Sequence, residues 1–181
     1  AASATPTESK YANYPVTGDA VTIGVAVPET GEHSQEGEQL LAGYKLAAHN
    51  VNDGAGVVGQ GAFGAIDERL RGKEVELAVA NPDPSAEGAR SAAEDLVDEG
   101  AIALVGGASN AEAAAVHDVA DAENIINMVG YAPGNAIGGE DCSLYGFQEL
   151  YNAIMAAQAL RPVLVEAFGE KRNVAQLRPQ S

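Results

Sequence analysis

The sequence is poor in three residue types that carry specific chemistry or charge: cysteine, tryptophan and lysine. It has one cysteine, Cys142, no tryptophan and four lysines among 181 residues. A lone cysteine excludes a disulfide within the chain, and the GGEDCSLYG context offers no partner that would activate its thiol. The apolar runs are far shorter than a membrane span, and no signal segment opens the sequence. These absences predict a soluble globular chain.

Positive charge is also scarce. The chain has 26 acidic and 10 basic residues, for a formal net charge of −16. Nucleic acid is excluded as a partner because phosphate binding needs clustered Lys and Arg. The acidic residues are spread from Glu8 to Glu170 rather than gathered in one block. A solvated acidic shell of this kind is typical of proteins that stay hydrated in concentrated salt, so we predict a halophilic source, with an ordinary acidic protein as the alternative.

Motifs for cofactors and metals are absent as well. Neither G-x-G-x-x-G nor G-x-x-x-x-G-K-[ST] occurs at a strand–helix turn, which argues against a nucleotide cofactor. His33, His49 and His117 have no paired ligand spacing, and there is no CxxC. We predict no metal and no cofactor. His49 and His117 are expected to be exposed or to cap helices, whereas His33 falls in a predicted site loop.

One pattern resembles a catalytic serine. Residues 107–111, GASNA, approximate the G-x-S-x-G turn of serine hydrolases and stand between a strand and a helix. That design needs a histidine base later in the chain, and the last histidine is His117, on the helix just after Ser109. A seryl nucleophile without a base is weak. The sequence therefore favours a protein that is not an enzyme, with a serine hydrolase as the least favoured alternative.

What the sequence does have is a regular alternation of strands and helices. This alternation is the signature of an α/β fold with a doubly wound parallel sheet in three layers. Strands are predicted at Val21–Val27, Glu74–Ala80, Ala101–Val105, Ile125–Val129 and Asn173–Leu177, and helices at Gly37–Val51, from Ser85 to Gly100, at Ala111–Ala122 and at Asn152–Phe168. Residues 1–19 are predicted to be a flexible leader, and Asn52–Gly72 a long connecting loop.

The topology predicts where a site should lie. In parallel sheets of order 2-1-3-4, ligands bind beyond the carboxyl ends of the strands, where the order reverses. The loops that meet there are Pro28–Glu36, Gly106–Asn110 and Gly130–Asn135. Asn110, preceded by Ser109, is predicted to cap the next helix, whose free N–H groups favour an anion. Spacing alone leaves open whether this turn forms the floor of a ligand site or is only a tight connection between a strand and a helix.

An ordered series of segments adds a family resemblance. The segments are VTIGVAVPETG, GEQLLAGYKLAAHNVN, GKEVELAVA, AAEDLVDEGAIALVGGASNA and ENIINMVGYAP. Their order and spacing from Val21 to Leu177 resemble the type I solute-binding proteins of ABC importers, in particular the Leu/Ile/Val-binding family. The resemblance implies a two-lobed protein that closes around an amino acid or similar small polar solute and delivers it to a membrane permease. It also implies an extracellular or periplasmic location, with a tether to the membrane through a removed N-terminal segment.

The resemblance also implies a domain division. Residues 20–150 would form the amino-terminal lobe, and residues 151–181 would supply a hinge-crossing helix and the first strand of a second lobe that is mostly missing. The lobe face left uncovered would then favour self-association, because exposed apolar surface tends to find a partner. The alternative from another class is a sensor or dimerisation module with the same lobe fold.

Site residues follow from the resemblance position by position. The family's Ser at the helix after the third strand corresponds to Asn110, flanked by Ser109 and Ala111. The carbonyl and Thr hydroxyl after the fourth strand correspond to Tyr131 and Pro133, on either side of Ala132. Pro133 has neither a hydroxyl nor an N–H, so its contact is not carried over. An often aromatic position in the first loop, near His33, falls on Glu36, whose carboxylate can pair with a cationic group or simply be surface. These departures argue that the ligand is not simply leucine or valine, and they leave another amino acid, a small amide such as urea or another small polar metabolite as alternatives.

Overall fold

The computed structural model describes residues 19–53 and 73–169. In these ranges strands and helices alternate along most of the chain. The strands are β1 (Ala20–Ala26), β2 (Glu74–Ala80), β3 (Ala103–Gly106), β4 (Ile126–Val129) and β5 (Gly146–Gln148); the helices are α1 (Ser34–Asn52), α2 (Ala86–Asp98), α3 (Asn110–Glu123) and α4 (Ala153–Phe168). Outside the described residues lie residues 1–18 of the predicted leader 1–19, most of the loop Asn52–Gly72 and the strand Asn173–Leu177.

The strands form one parallel sheet of order β2-β1-β3-β4-β5. β1 is the centre: Val25 pairs with Val79 of β2 on one side and with Val105 of β3 on the other. The predicted α/β class and the order 2-1-3-4 are confirmed. β5 was not predicted, because a three-residue strand that begins with glycine carries no apolar pattern of its own.

One face of the sheet is closed by α2 and α3. Small residues on the two helices, among them Ala93 and Ala120, let the helices approach the sheet closely, and Leu104 of β3 fills the centre of this layer. All three side chains are fully buried. The helices are also joined at the surface, where the Arg90 guanidinium donates to the Asp118 carboxylate at 2.6 Å. The Asp118 hydrogen bond raises the pKa of Arg90, against a small opposing effect of burial.

Within the described ranges, α1 covers only part of the opposite face. Leu41 of α1 is buried against Val25 and Val27, with Tyr44 packed at the edge of the cluster. Farther along the sheet, Asn127 and Val129 of β4 are buried on the face that α2 and α3 cover. Because successive side chains of a strand alternate, Ile126 and Met128 point to the α1 face. We call Ile126, Met128 and Phe147 the open strip, because their exposed fractions are 48%, 38% and 48%.

The final helix is also uncovered. None of the residues of α4 is buried, although most of them are apolar. Asn152 caps its start by accepting from the Met155 N–H at 2.9 Å, and the Asn135 side chain accepts from the Ile154 N–H at 3.1 Å. Among the described residues, no helix is long and apolar enough to cross a membrane.

Two predicted boundaries around the first helix are wrong. The helix begins at Ser34 rather than Gly37, so Glu36 lies in the first helical turn and not in a loop. Gly37 is inside the helix because α1 packs against Pro28: a Cβ at Gly37 would lie 1.8 Å from the Pro28 carbonyl oxygen. Gly37 therefore marks a close contact between α1 and Pro28, whereas the sequence predicted that it begins the helix.

Candidate functional site

β3 ends in a turn that packs on the carboxyl end of β1 and that requires glycine. Gly106 has φ +135°, and a Cβ there would lie 2.0 Å from the Ala26 carbonyl oxygen. Gly107 has φ +80° and donates its N–H to the same oxygen at 2.9 Å. The turn therefore sits tightly on the end of β1 and delivers the chain directly into α3.

The start of α3 is held by a reciprocal cap. Ser109 is the N-cap residue: its hydroxyl accepts from the Glu112 N–H at 3.3 Å, and the Glu112 carboxylate accepts from the Ser109 N–H at 3.1 Å. The same carboxylate accepts from the buried Ala108 N–H at 2.8 Å. The prediction that Asn110 caps this helix is wrong. The order Ser-x-x-Glu at residues 109–112 is the sequence signature of this capping box and would have identified Ser109.

The cap leaves two N–H groups at this helix start. Within the described part of the chain, the N–H groups of Asn110 and Ala111 make no hydrogen bond, while those of Ser109 and Glu112 are paired inside the cap. Asn110 and Ala111 are both exposed. The Asn110 amide also reaches the next loop, because a Cβ at Gly134 would lie 3.1 Å from its Oδ1 atom. These groups can hold a hydrogen-bond acceptor of a ligand.

The loop after β4 is fixed by Gln148 of β5. Its side-chain amide donates to the carbonyls of Ala132 and Gly134, each at 2.9 Å. The Pro133 carbonyl accepts from the Ala153 N–H at 3.0 Å. Ala132 is buried, whereas Tyr131 and Pro133 are exposed. The carbonyls of Ala132, Pro133 and Gly134 are therefore paired, whereas the Tyr131 carbonyl makes no hydrogen bond among the residues described.

A groove runs from this loop along α1. It encloses about 380 Å³ and brings Glu36 and Tyr131 together. The rest of its described lining is Gln39, Leu40, Gly43 and Tyr44 of α1, with Gly130 and Glu149 from the ends of β4 and β5. Burial raises the pKa of Tyr44, and the nearby Glu149 carboxylate raises it further. The lining therefore includes two tyrosines and two glutamates.

The predicted residues thus fall into two adjoining groups. Ser109, Asn110 and Ala111 lie at the start of α3, beside the loop that carries Ala132 and Pro133. Glu36 and Tyr131 lie in the groove. His33 belongs to neither group: it is the N-cap residue of α1, makes no side-chain capping bond and is not among the residues that line the groove. Tyr44 and Glu149 were missed, because nothing in the sequence says that the middle of α1 faces the end of β5.

Other features do not add chemistry to this edge. A larger cavity of about 680 Å³ lies against α4, and its described lining comes from that one helix. No group of three His, Cys, Asp or Glu side chains among the described residues is arranged to hold a metal ion. Cys142 is exposed.

The expectation that His117 is exposed or caps a helix is wrong. Its ring is buried between α3 and β5, where a Cβ at Gly146 would lie 2.2 Å from Cε1. Nε2 lies 2.9 Å from the Asp141 carbonyl oxygen, and Nδ1 has no partner in the described structure. The Gly146 position makes room for the ring, which the sequence around His117 does not reveal. His49 is exposed, as expected, with Nε2 3.4 Å from Asp53.

Comparison with known proteins identifies relatives of this architecture. The family model described as periplasmic binding protein matches residues 20–178. No curated protein sequence matches the chain at a significant level. Among solved structures, a periplasmic binding protein from Burkholderia mallei is 24% identical with a TM-score of 0.68. The match covers 84% of this chain and 37% of the Burkholderia protein.

Two further structures show the same fold. A solute-binding protein of an ABC transporter from Rhodopseudomonas palustris, in complex with 3,4-dihydroxybenzoic acid, is 17% identical with a TM-score of 0.67. A leucine-binding protein from Thermotoga maritima is 19% identical with a TM-score of 0.65. Each match covers 83% of this chain, which spans 37% and 38% of their respective lengths. This chain therefore spans little more than a third of these structural relatives.

Proposed function

Because the chain belongs to the periplasmic binding protein family, we propose that it is part of the solute-binding component of an ABC-type importer. In this role it binds a small polar solute, an amino acid or a similar compound, outside the cytoplasm. A second lobe closes over the solute, and a membrane permease recognises the closed form. A membrane tether on the N-terminal side belongs to the same proposal.

One observation carries this proposal. The unpaired N–H groups of Asn110 and Ala111 lie at the carboxyl edge of the sheet, where the Asn110 side chain approaches Gly134 in the loop that also carries the exposed Tyr131. Donors and an acceptor carbonyl at one edge can hold a polar solute without any reactive group. The location is the one expected for ligands of parallel sheets, where the strand order reverses between β1 and β3.

The geometry does not favour a serine hydrolase. The Ser109 hydroxyl already accepts from the Glu112 N–H. The ring of His117, the histidine nearest in sequence, is buried against Gly146 and bonded to the Asp141 carbonyl. A serine nucleophile needs a base within hydrogen-bond reach. The role that these contacts support for Ser109 is structural, which agrees with a binding protein.

Thermal unfolding in the presence of candidate solutes tests the proposal. A ligand at about one hundred times its dissociation constant stabilises the native state by about 2.7 kcal/mol. Replacing Asn110 with Ala should weaken the effect by removing an amide at the site. Asn50→Ala is the matched control, because Asn50 lies in the last turn of α1. That turn is near the amino ends of the strands, where Asn52 bonds Val75 at the start of β2. Equal binding by both variants would count against the assigned site.

A second candidate rests on the open strip and on α4. Both are apolar and exposed in this chain, and exposed apolar patches are characteristic of contact surfaces. We propose that copies of this chain associate through them when no other lobe is present. Light scattering after size-exclusion chromatography tests this. A ligand-independent dimer with no solute binding would favour the dimerisation module, and a monomer would contradict self-association.

A further inference from the structure

We propose that the solute carries a cationic group and no carboxylate, and that its cationic end occupies the groove between α1 and the ends of β4 and β5. This inference rests on the proposed function and names the ligand class of the same site. It departs from 3,4-dihydroxybenzoic acid, isoleucine and benzoate, with which three similar solute-binding proteins are in complex.

The groove has the composition of a cation site. Glu36 on α1 and Glu149 after β5 place carboxylates on two of its walls, and Tyr44 and Tyr131 supply aromatic rings. A cation gains from carboxylates by charge and from aromatic faces through the ring quadrupole. A volume of about 380 Å³ is enough for a small solute.

Basic side chains are missing from this lining. The described residues include four lysines and arginines, namely Lys45, Lys73, Arg90 and Arg161, and none of them lines the groove. Glu36 and Glu149 take part in no ion pair among the described residues. An anionic group placed here would meet two like charges, with no compensating cation among the described residues of the lining.

The start of α3 adds a second constraint on the ligand. A helix N-terminus ordinarily attracts a carboxylate through its free N–H groups and dipole. Here the buried Glu112 carboxylate already places a negative charge at the helix start, where it accepts from the Ala108 and Ser109 N–H groups. The remaining N–H groups of Asn110 and Ala111 therefore suit a neutral acceptor, such as an amide carbonyl or a hydroxyl, better than a second anion.

Ligand sets that share a side chain but differ in charge test the inference. For glycine, leucine and phenylalanine, the amino acid amide is a cation, the free amino acid a zwitterion, the N-acetyl amide neutral and the 2-oxo acid an anion. Their dissociation constants for the whole chain are measured by amide NMR titration, which detects millimolar binding, at the lowest KCl concentration that keeps the chain folded. We expect the amides to bind at least fivefold more tightly than the free acids of the same side chain.

Charge-neutral variants assign the effect to the groove. Glu36→Gln and Glu149→Gln should each weaken binding of the cationic amide by about fivefold, the size of a partly exposed charge pair. They should weaken binding of the neutral N-acetyl amide much less than binding of the cation. Glu38→Gln is the matched control: Glu38 lies on the same helix, is exposed and does not line the groove.

The outcomes separate the two proposals. Free acids or 2-oxo acids that bind as tightly as the amides would overturn the cation inference and leave a solute-binding protein. Binding of the cationic amides that is unchanged in both Glu36→Gln and Glu149→Gln would also overturn the cation inference. Binding of no compound in these sets or in a wider panel of small solutes would instead contradict the proposed function itself.

Discussion

Ser109 and Glu112 cap one helix from both directions, since each side chain accepts from the backbone N–H of the other, at 3.3 and 3.1 Å. The Glu112 side chain is almost completely buried, with 2% exposure, and it also pairs the buried Ala108 N–H. One reciprocal contact therefore fixes the helix start and also decides how much positive potential the site retains.

Removing either half of this cap should destabilise the chain by different amounts. Ser109→Ala should cost about 1 kcal/mol, the usual value of an N-cap hydroxyl. Glu112→Ala should cost about 2–3 kcal/mol, because it leaves the buried Ala108 N–H without a partner. Urea unfolding measures both, with Ser91→Ala on the exposed side of α2 as the control. A smaller cost for Glu112→Ala than for Ser109→Ala would contradict this arrangement.

Two glycines on α1 should respond in opposite directions to alanine. Gly37→Ala places a Cβ 1.8 Å from the Pro28 carbonyl oxygen and should destabilise the chain by ~3 kcal/mol. Gly43→Ala meets nothing within 4 Å and should stabilise it by ~0.5–1 kcal/mol, because alanine loses less backbone freedom in a helix. Thermal unfolding of the two variants compares them directly. Similar effects of the same sign would show that α1 does not approach Pro28 as described.

The environment of Tyr44 predicts an alkaline limit to stability. Burial, reinforced by Glu149, raises its folded-state pKa above the ordinary value of 10.0. The folded chain therefore holds this proton more tightly than the unfolded chain. The stability that the raised pKa of Tyr44 contributes is complete below about pH 10 and is lost as the pH rises through that raised pKa.

Tyr44→Phe isolates that contribution. The variant should lose less stability than the parent chain between about pH 9 and pH 11, since phenylalanine has no proton to release. The free energy of unfolding is measured by urea titration at each pH. Tyr131→Phe is the control on the exposed loop. Parallel pH profiles for Tyr44→Phe and the parent chain would exclude a raised pKa at this position.

The acidic surface predicts a dependence on salt. With a net charge of −16, the folded chain is destabilised by self-repulsion that salt screens. The melting temperature should rise as KCl increases from about 0.1 to 1 M, over which the screening length falls from about 10 to 3 Å. Sucrose at matched osmolality is the control for general exclusion from the surface. A flat or falling profile in KCl would argue against a halophilic adaptation.

Much of the fold follows from local patterns. The run Glu74–Ala80 was predicted with the bounds that the structure has, and Ser85 and Asn152 cap their helices where the helical patterns begin. These elements are specified by residues next to one another in sequence. The parallel order follows from the alternation of strands and helices, which permits few other connections.

The site is less accessible from the sequence because it depends on distant contacts. Asn110 and Tyr131 lie at the predicted strand ends, and topology alone places such loops together. Tyr44 and Glu149 are separated by more than half of the chain, and no local pattern links them. The burial of His117 depends likewise on Gly146 in a strand too short to predict. The choice of Ser109 over Asn110 as cap could have been made, since Glu112 completes the signature.

Solute binding at the carboxyl ends of β1, β3 and β4 is tested most directly by residue-resolved NMR titration of the whole chain. The solute is the compound that raises the melting temperature most, added to saturation. The predicted result is a set of amide shift changes concentrated at Glu36, Asn110, Ala111 and Tyr131, with little change at the opposite edge near Asn50. Shift changes confined to α4 and the open strip, or none with any solute, would contradict a binding site at this edge.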